Sequence, residues 1–318
     1  MDDLLILCPG QGSQAAGMAE YLWDYPVARG TFAEAGDVLG WDIGELCRRG
    51  SLEELTRTDR AQPALVTSSV AVWRLLAEEG ASCSVAAGHS LGEYSALAVT
   101  GRLAFADAVR LVEQRGRAMQ ACADERGGAM TAVLGLEDEE VEEICSDVGE
   151  VWVANYNSPG QVVVSGAVAS VEEASRLAGE RGARRVVPLA VSGAFHTPFM
   201  AGAAEALREA LQGVEFHAGE GRFLSTTEGR FPSQEELRDV LVRQLTSPVR
   251  FKQSVEVMLQ SSEAPRRGLE VGPGAVLAGL IRRIARDFPV DTTGDAESLG
   301  RALRAVGGRD ETGEESHE

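Results

Sequence analysis

Lysine is almost absent from this 318-residue chain: Lys252 is the only one, so nearly all of the positive charge is arginine. With 30 basic against 49 acidic residues the formal net charge is −19. That sign argues against a general nucleic-acid binder, whose affinity comes from neutralising phosphates, and against attachment to an anionic membrane surface. The arginine bias is what a GC-rich coding genome produces and says nothing about mechanism. Long apolar runs are missing too: no stretch approaches the roughly 18 residues of a membrane span, and no charged segment leading into an apolar run opens the chain. Membrane insertion and export are therefore not expected, and a cytoplasmic location is. The cysteines Cys8, Cys47, Cys83, Cys122 and Cys145 are odd in number, widely spaced and mostly in apolar surroundings, as for reduced, buried thiols. No C-x-x-C pair or His/Cys cluster has metal-ligand spacing, so no metal site is expected.

What is present is enough apolar material, 44%, to bury a full core. Leu4 to Cys8 is an uninterrupted apolar run of strand length, the pattern of a parallel-sheet strand buried on both faces. Helical and strand patterns alternate from there to about residue 124, which reads as α/β. From Gly128 the order becomes strand 129–136, helix 138–145, strands 151–155 and 161–165, helix 171–181 and strand 185–191. That β-α-β-β-α-β order is ferredoxin-like, with Asn157-Ser158-Pro159-Gly160 as the turn between its middle strands. The expected organisation is a large α/β subdomain of residues 1–126 and 193–308 into which a small subdomain, 127–192, is inserted. An acidic tail, 309–318, is expected to be disordered. Leu269 to Val271, Gly272-Pro273-Gly274 and a helix over 276–285 read as the last strand, turn and helix of the large part.

Gly88-His89-Ser90-Leu91-Gly92 lies between a small apolar segment, Cys83 to Ala87, and a run of helix formers, Glu93 to Ala98. A G-x-S-x-G run in that context is a nucleophile elbow: the glycines permit a tight turn that lifts the serine oxygen out at a helix N-terminus. A serine nucleophile needs a base, and the chain has only four histidines. His317 falls in the tail. His217 sits in Val214 to His217, an alternating stretch that reads as a strand. His89 adjoins the nucleophile, so its side chain points away from Ser90 and suits a packing or hydrogen-bonding role. His196 remains, in Ser192-Gly193-Ala194-Phe195-His196, just before a helix start at Thr197-Pro198.

In the helix predicted from Phe105 to Met119, Ala108, Leu111, Val112, Arg115 and Met119 share one face by their spacing, while Arg110, Glu113 and Arg117 lie on the other side. Arg115 is thus an arginine on the apolar face. It needs an anion, either a structural carboxylate or a ligand.

Gly10-Gln11-Gly12-Ser13-Gln14, Gly88 to Tyr94, Gln114-Arg115-Gly116, Asn157 to Gln161, Phe195-His196 and Glu270 to Gly274 stand in one order over residues 4 to 287. Together they resemble the malonyl-CoA:acyl-carrier-protein transacylases, including freestanding acyltransferases that serve polyketide synthases. The rival reading of Gly10-Gln11-Gly12 as a dinucleotide fingerprint places Ala15 where the third glycine belongs. The resemblance implies an α/β-hydrolase-like large subdomain with an inserted ferredoxin-like small one. It implies malonyl transfer from malonyl-CoA to the phosphopantetheine thiol of an acyl carrier protein through a malonyl-serine, for fatty acid or polyketide synthesis. Ser90 is then the nucleophile, His196 the base, Gln11 and Leu91 the residues whose backbone N–H groups form the oxyanion hole, and Arg115 the partner of the malonyl carboxylate. Phe195 stands where malonyl-using relatives carry phenylalanine and methylmalonyl-using ones a smaller residue. A main-chain carbonyl in the segment Leu245 to Arg250 is expected to orient the imidazole; which one is open, and Ser247 stands where many relatives have asparagine. No cofactor is implied, and a monomer is expected. Since carrier proteins are acidic like this chain, docking needs a local basic patch, for which Arg184-Arg185, Arg266-Arg267 and Arg282-Arg283 are candidates. Two alternatives remain. An editing hydrolase acting on acyl carrier proteins would leave Arg115 without purpose, and a carrier-binding scaffold with a dead site would not need Ser90 and His196 intact.

Overall fold

The run Leu4–Cys8 forms the middle strand of a parallel sheet in a computed structural model that describes residues 4–191 and 193–308. The described strands are β1 Leu4–Cys8, β2 Val85–Gly88, β3 Ala129–Leu134, β4 Val151–Ser158, β5 Gln161–Gly166, β6 Arg185–Pro188, β7 Arg222–Leu224, β8 Arg267–Glu270 and β9 Val290–Thr292. The proposed tail 309–318, with His317, and Ser192 of the histidine motif lie outside the described residues. The chain has an α/β fold, with an α/β-hydrolase-like large subdomain and a ferredoxin-like small one.

Five strands run in the order β7-β2-β1-β8-β9, every pair parallel, with Ile6 in register with Ala86 and Leu269. Every residue of β1 and β2 is buried, which is why neither strand shows the polar alternation of a half-exposed sheet. β2 starts at Val85, two residues inside the apolar segment read from Cys83.

The other four strands form an antiparallel sheet in the order β4-β5-β3-β6, with the helices Asp138–Val148 and Val168–Glu180 as crossovers. β3 pairs antiparallel with both β5 and β6, the ferredoxin-like arrangement. Its core follows from two periodicities: Val162 and Val164 face one side of β5, and Val141, Ile144 and Cys145 recur along one face of the helix; all join one buried cluster. By contacts the chain divides into two compact units, one of Gln114–Val214 and Ser225–Ser261, the other holding the parallel sheet. The second stretch joins the antiparallel sheet's unit through β4, where the Tyr156 N–H donates to Val249 O at 2.8 Å.

Val214 to His217 is not a strand. Phe216 makes one isolated bridge with Leu103, and the His217 N–H donates to Arg102 O at 2.9 Å. The partner segment is a short turn between helices, so no ladder can extend from it. All five cysteines are free thiols, and burial pushes Cys47 and Cys145 up to about 12.

The single lysine is structural. Lys252 Nζ lies 2.5 Å from Asp138 Oδ2, with side chains only 18% and 11% exposed, and so ties the helix Phe251–Leu259 to the first turn of Asp138–Val148. Lys252→Met leaves a mostly buried carboxylate partly compensated by its helix N-terminus, and should cost about 2 kcal/mol in urea unfolding. Adding Asp138→Asn should recover part of that loss; additive losses would show that the pair is not coupled.

Candidate active site

Cys8 pairs with Gly88, so the chain leaves the carboxyl ends of two adjacent parallel strands at Pro9 and at His89. After β2 it turns at once into the helix Gly92–Val99, with the Gly92 and Glu93 N–H groups donating to His89 O and Ser90 O at 3.0 Å. Ser90 holds the turn with a left-handed φ of 50°, an unfavourable conformation for a residue with a Cβ. The two glycines of the motif are required by close approach. A Cβ on Gly88 would stand 1.9 Å from the Gly92 carbonyl carbon, and one on Gly92 would stand 2.0 Å from Cys8 O. Leu91 is buried at the head of the helix, and Ser90 is half-exposed.

The turn after β1 lies against this elbow: a Cβ on Gly10 would be 2.4 Å from His89 O. Gln11 follows, its side-chain Nε2 donating to Thr58 Oγ1 at 3.3 Å. The first unit therefore brings together the turns that carry Gln11, Ser90 and Leu91. His89, half-buried, packs against Gly10.

The second unit holds Arg115, Phe195 and His196. His196, 6% exposed, also has a left-handed φ, 62°. The turn around it is braced by Thr197, whose Oγ1 donates to Ala194 O at 2.6 Å and accepts from the Phe199 N–H at 3.2 Å. A 3-10 turn, Pro198–Met200, then leads into the helix Ala201–Ala210, so Thr197 is an N-cap as its sequence suggests. The Phe195 ring lies over Gly193, where a Cβ would be 2.6 Å from its Cε1.

The imidazole Nδ1 lies 2.9 Å from Gln244 O and 3.2 Å from Ser247 O. Carbonyl oxygens only accept, so Nδ1 carries the hydrogen; in the neutral ring the lone pair is then on Nε2, the tautomer a general base needs. Gln244 ends the helix Leu237–Gln244. The residue four positions on, whose N–H would claim its carbonyl in a longer helix, is Pro248, which has none. The carbonyl also sits at the negative end of the helix dipole, which favours the imidazolium formed when His196 takes a proton. The expected segment, Leu245–Arg250, includes Ser247 but misses the nearer Gln244; counting back four from the proline reaches it.

Arg115 is 1% exposed within the helix Phe105–Arg126, as the spacing predicts, and its Nη2 donates to Gln244 Oε1 at 3.0 Å. On the solvated side Arg110 pairs with Asp107. Of the candidate docking pairs, Arg184, Arg185, Arg266, Arg282 and Arg283 are exposed, while Arg267 is half-buried and paired with Asp291.

Residues 6–314 match the acyl transferase domain family. A malonyl CoA-acyl carrier protein transacylase of Haemophilus influenzae is 43% identical over 306 residues, 94% of this chain and 97% of that protein. The chain belongs to the malonyl-CoA:acyl-carrier-protein transacylase family. Its likeness to solved members is equally extensive. A malonyl-transacylase in complex with its type II PKS acyl-carrier protein superposes with a TM-score of 0.91 at 42% identity, covering 96% of this chain and all, 100%, of that one. A malonyl-CoA:acyl carrier protein transacylase of Xanthomonas oryzae pv. oryzae gives 0.91 at 42% identity, covering 96% of this chain and 98% of its own. This member of the transacylase family is thus an acyltransferase.

In this transacylase-family chain the elbow is held by backbone against backbone, so Gly92→Ala should destabilise the protein by about 3 kcal/mol or prevent folding. An unchanged unfolding midpoint would refute the close approach to Cys8.

Proposed function

We propose that the protein transfers a malonyl group from malonyl-CoA to the phosphopantetheine thiol of an acyl carrier protein by double displacement through Ser90. The observation that supports this most is backbone strain. Among the described residues only Ser90, Glu150 and His196 are non-glycine residues in the left-handed region, and two of the three are the nucleophile and base of the proposed reaction.

His196 Nε2 accepts the Ser90 Oγ proton as Oγ bonds to the thioester carbonyl carbon. The backbone N–H groups of Gln11 and Leu91 stabilise the oxyanion that develops. Collapse breaks the C–S bond, CoA leaves with the proton returned by His196, and a malonyl-serine ester remains. In the second half the carrier's thiol gives its proton to His196, its sulfur attacks the ester, and Ser90 is regenerated. Arg115 offers the malonyl carboxylate a planar pair of charge-assisted donors, which an acetyl group cannot use, and Phe195 lines the acyl pocket. The enzyme acts as a monomer in the cytoplasm. An editing hydrolase would use the same serine with water as the second acceptor; the buried Arg115 and the transacylase relatives speak against it.

Intact-protein mass spectrometry after brief mixing with malonyl-CoA or acetyl-CoA tests the scheme. A malonyl increment on the Ser90 peptide is expected, lost in Ser90→Ala and much weaker with acetyl-CoA. Steady CoA release without an adduct would favour the hydrolase. Arg115→Ala should lower malonyl loading about 100-fold and narrow its preference over acetyl. An unchanged preference would return Arg115 to a structural role.

A further inference from the structure

Gln244 touches two site residues at once. Its main-chain carbonyl accepts from His196 Nδ1 at 2.9 Å, and its side-chain Oε1 accepts from Arg115 Nη2 at 3.0 Å. The glutamine is wholly buried, at 0% exposure, and the arginine nearly so, at 1%. The chemistry of this acceptor matters. A carboxylate at this position would form an ion pair and neutralise the guanidinium, whereas an amide oxygen fixes one N–H direction and leaves the positive charge in place. A neutral acceptor therefore suits an arginine that must be held in one plane yet still attract an anion from solution. A guanidinium binds a carboxylate well only in the plane of its fork, so fixing that plane is part of selecting the ligand.

We infer that the Gln244 side chain is a positioning residue for acyl selection, setting the plane of the Arg115 guanidinium while the same residue's carbonyl sets the imidazole. One helix end thereby orients both the carboxylate clamp and the base. The inference rests on the reading of Arg115 as the malonyl clamp. A buried hydrogen bond with only a structural role would, when lost, lower transfer of all acyl groups alike; a positioning role lowers malonyl selectively, and through KM.

The test compares kcat and KM for malonyl-CoA and acetyl-CoA in the full-length protein and in Gln244→Met, Gln244→Glu, Arg115→Ala and the Arg115→Ala/Gln244→Met double variant. The main-chain carbonyl survives in every one. Gln244→Met should lower the malonyl-to-acetyl ratio of kcat/KM about tenfold, mostly through the KM for malonyl-CoA. Gln244→Glu, nearly the same shape, should lower it at least as far, because its carboxylate occupies the guanidinium. In the Arg115→Ala background Gln244→Met should lower the ratio no further. Equal losses with both acyl donors in the Gln244 variants, beside a ratio that does collapse in Arg115→Ala, would overturn the inference and leave the reading of Arg115 intact. An unchanged ratio in Arg115→Ala would overturn both. If Gln244→Met does not fold, the isosteric Gln244→Glu decides by the same ratio.

Discussion

The carboxyl end of the parallel sheet depends on one close approach, the Gly92 backbone against the carbonyl of Cys8. β1 is central and buried on both faces, paired with β2 on one side and β8 on the other, and cannot retreat from that contact. With no side chain at Gly88 or Gly92, the helix Gly92–Val99 begins directly at the end of β2, and the turn between them has room for a single arrangement. The left-handed backbone of Ser90 is a consequence. Such a conformation costs on the order of 1 kcal/mol, a small sum beside the burial of both strands around it. Strain at the serine is thus maintained by packing that does not involve its side chain.

The imidazole is held in another way. Its Nδ1 hydrogen is directed to the last carbonyl of a helix, and the proline four residues on removes the donor that would compete for that carbonyl. A carboxylate orienting the ring would carry a full charge and titrate together with it. A carbonyl does not titrate, so the acceptor that orients the ring is itself unchanged by pH. The helix dipole supplies a partial negative charge beside the ring without the desolvation cost of a buried anion. The same helix end supplies Arg115 with a neutral acceptor, the Gln244 amide oxygen.

Much of this architecture is legible in the residues themselves, and for a local reason. Leu4–Cys8 is a strand at the very residues of its apolar run, and the β-α-β-β-α-β order appears with boundaries shifted by a few residues. Arg115 lies inward because a 3.6-residue repeat places it beside Leu111, Val112 and Met119. Val214 to His217 misleads because alternation shows which residues suit a strand, not whether a partner strand exists; the segment beside it is only a turn. Gln244 gives a weaker signal: at the end of a helix its type says little, and only the proline four residues on marks its carbonyl as available.

By itself the sequence determined the elements, the elbow around Ser90 and the inward face of Arg115, since each depends on contacts within a few residues or on a repeat along one helix. The tertiary structure decided the partners. His196 meets the Gln244 carbonyl across 48 residues of chain, and Arg115 meets its side chain across 129. Pairings over such separations are set by how the helices and sheet pack, and leave no periodicity in the chain from which to read them.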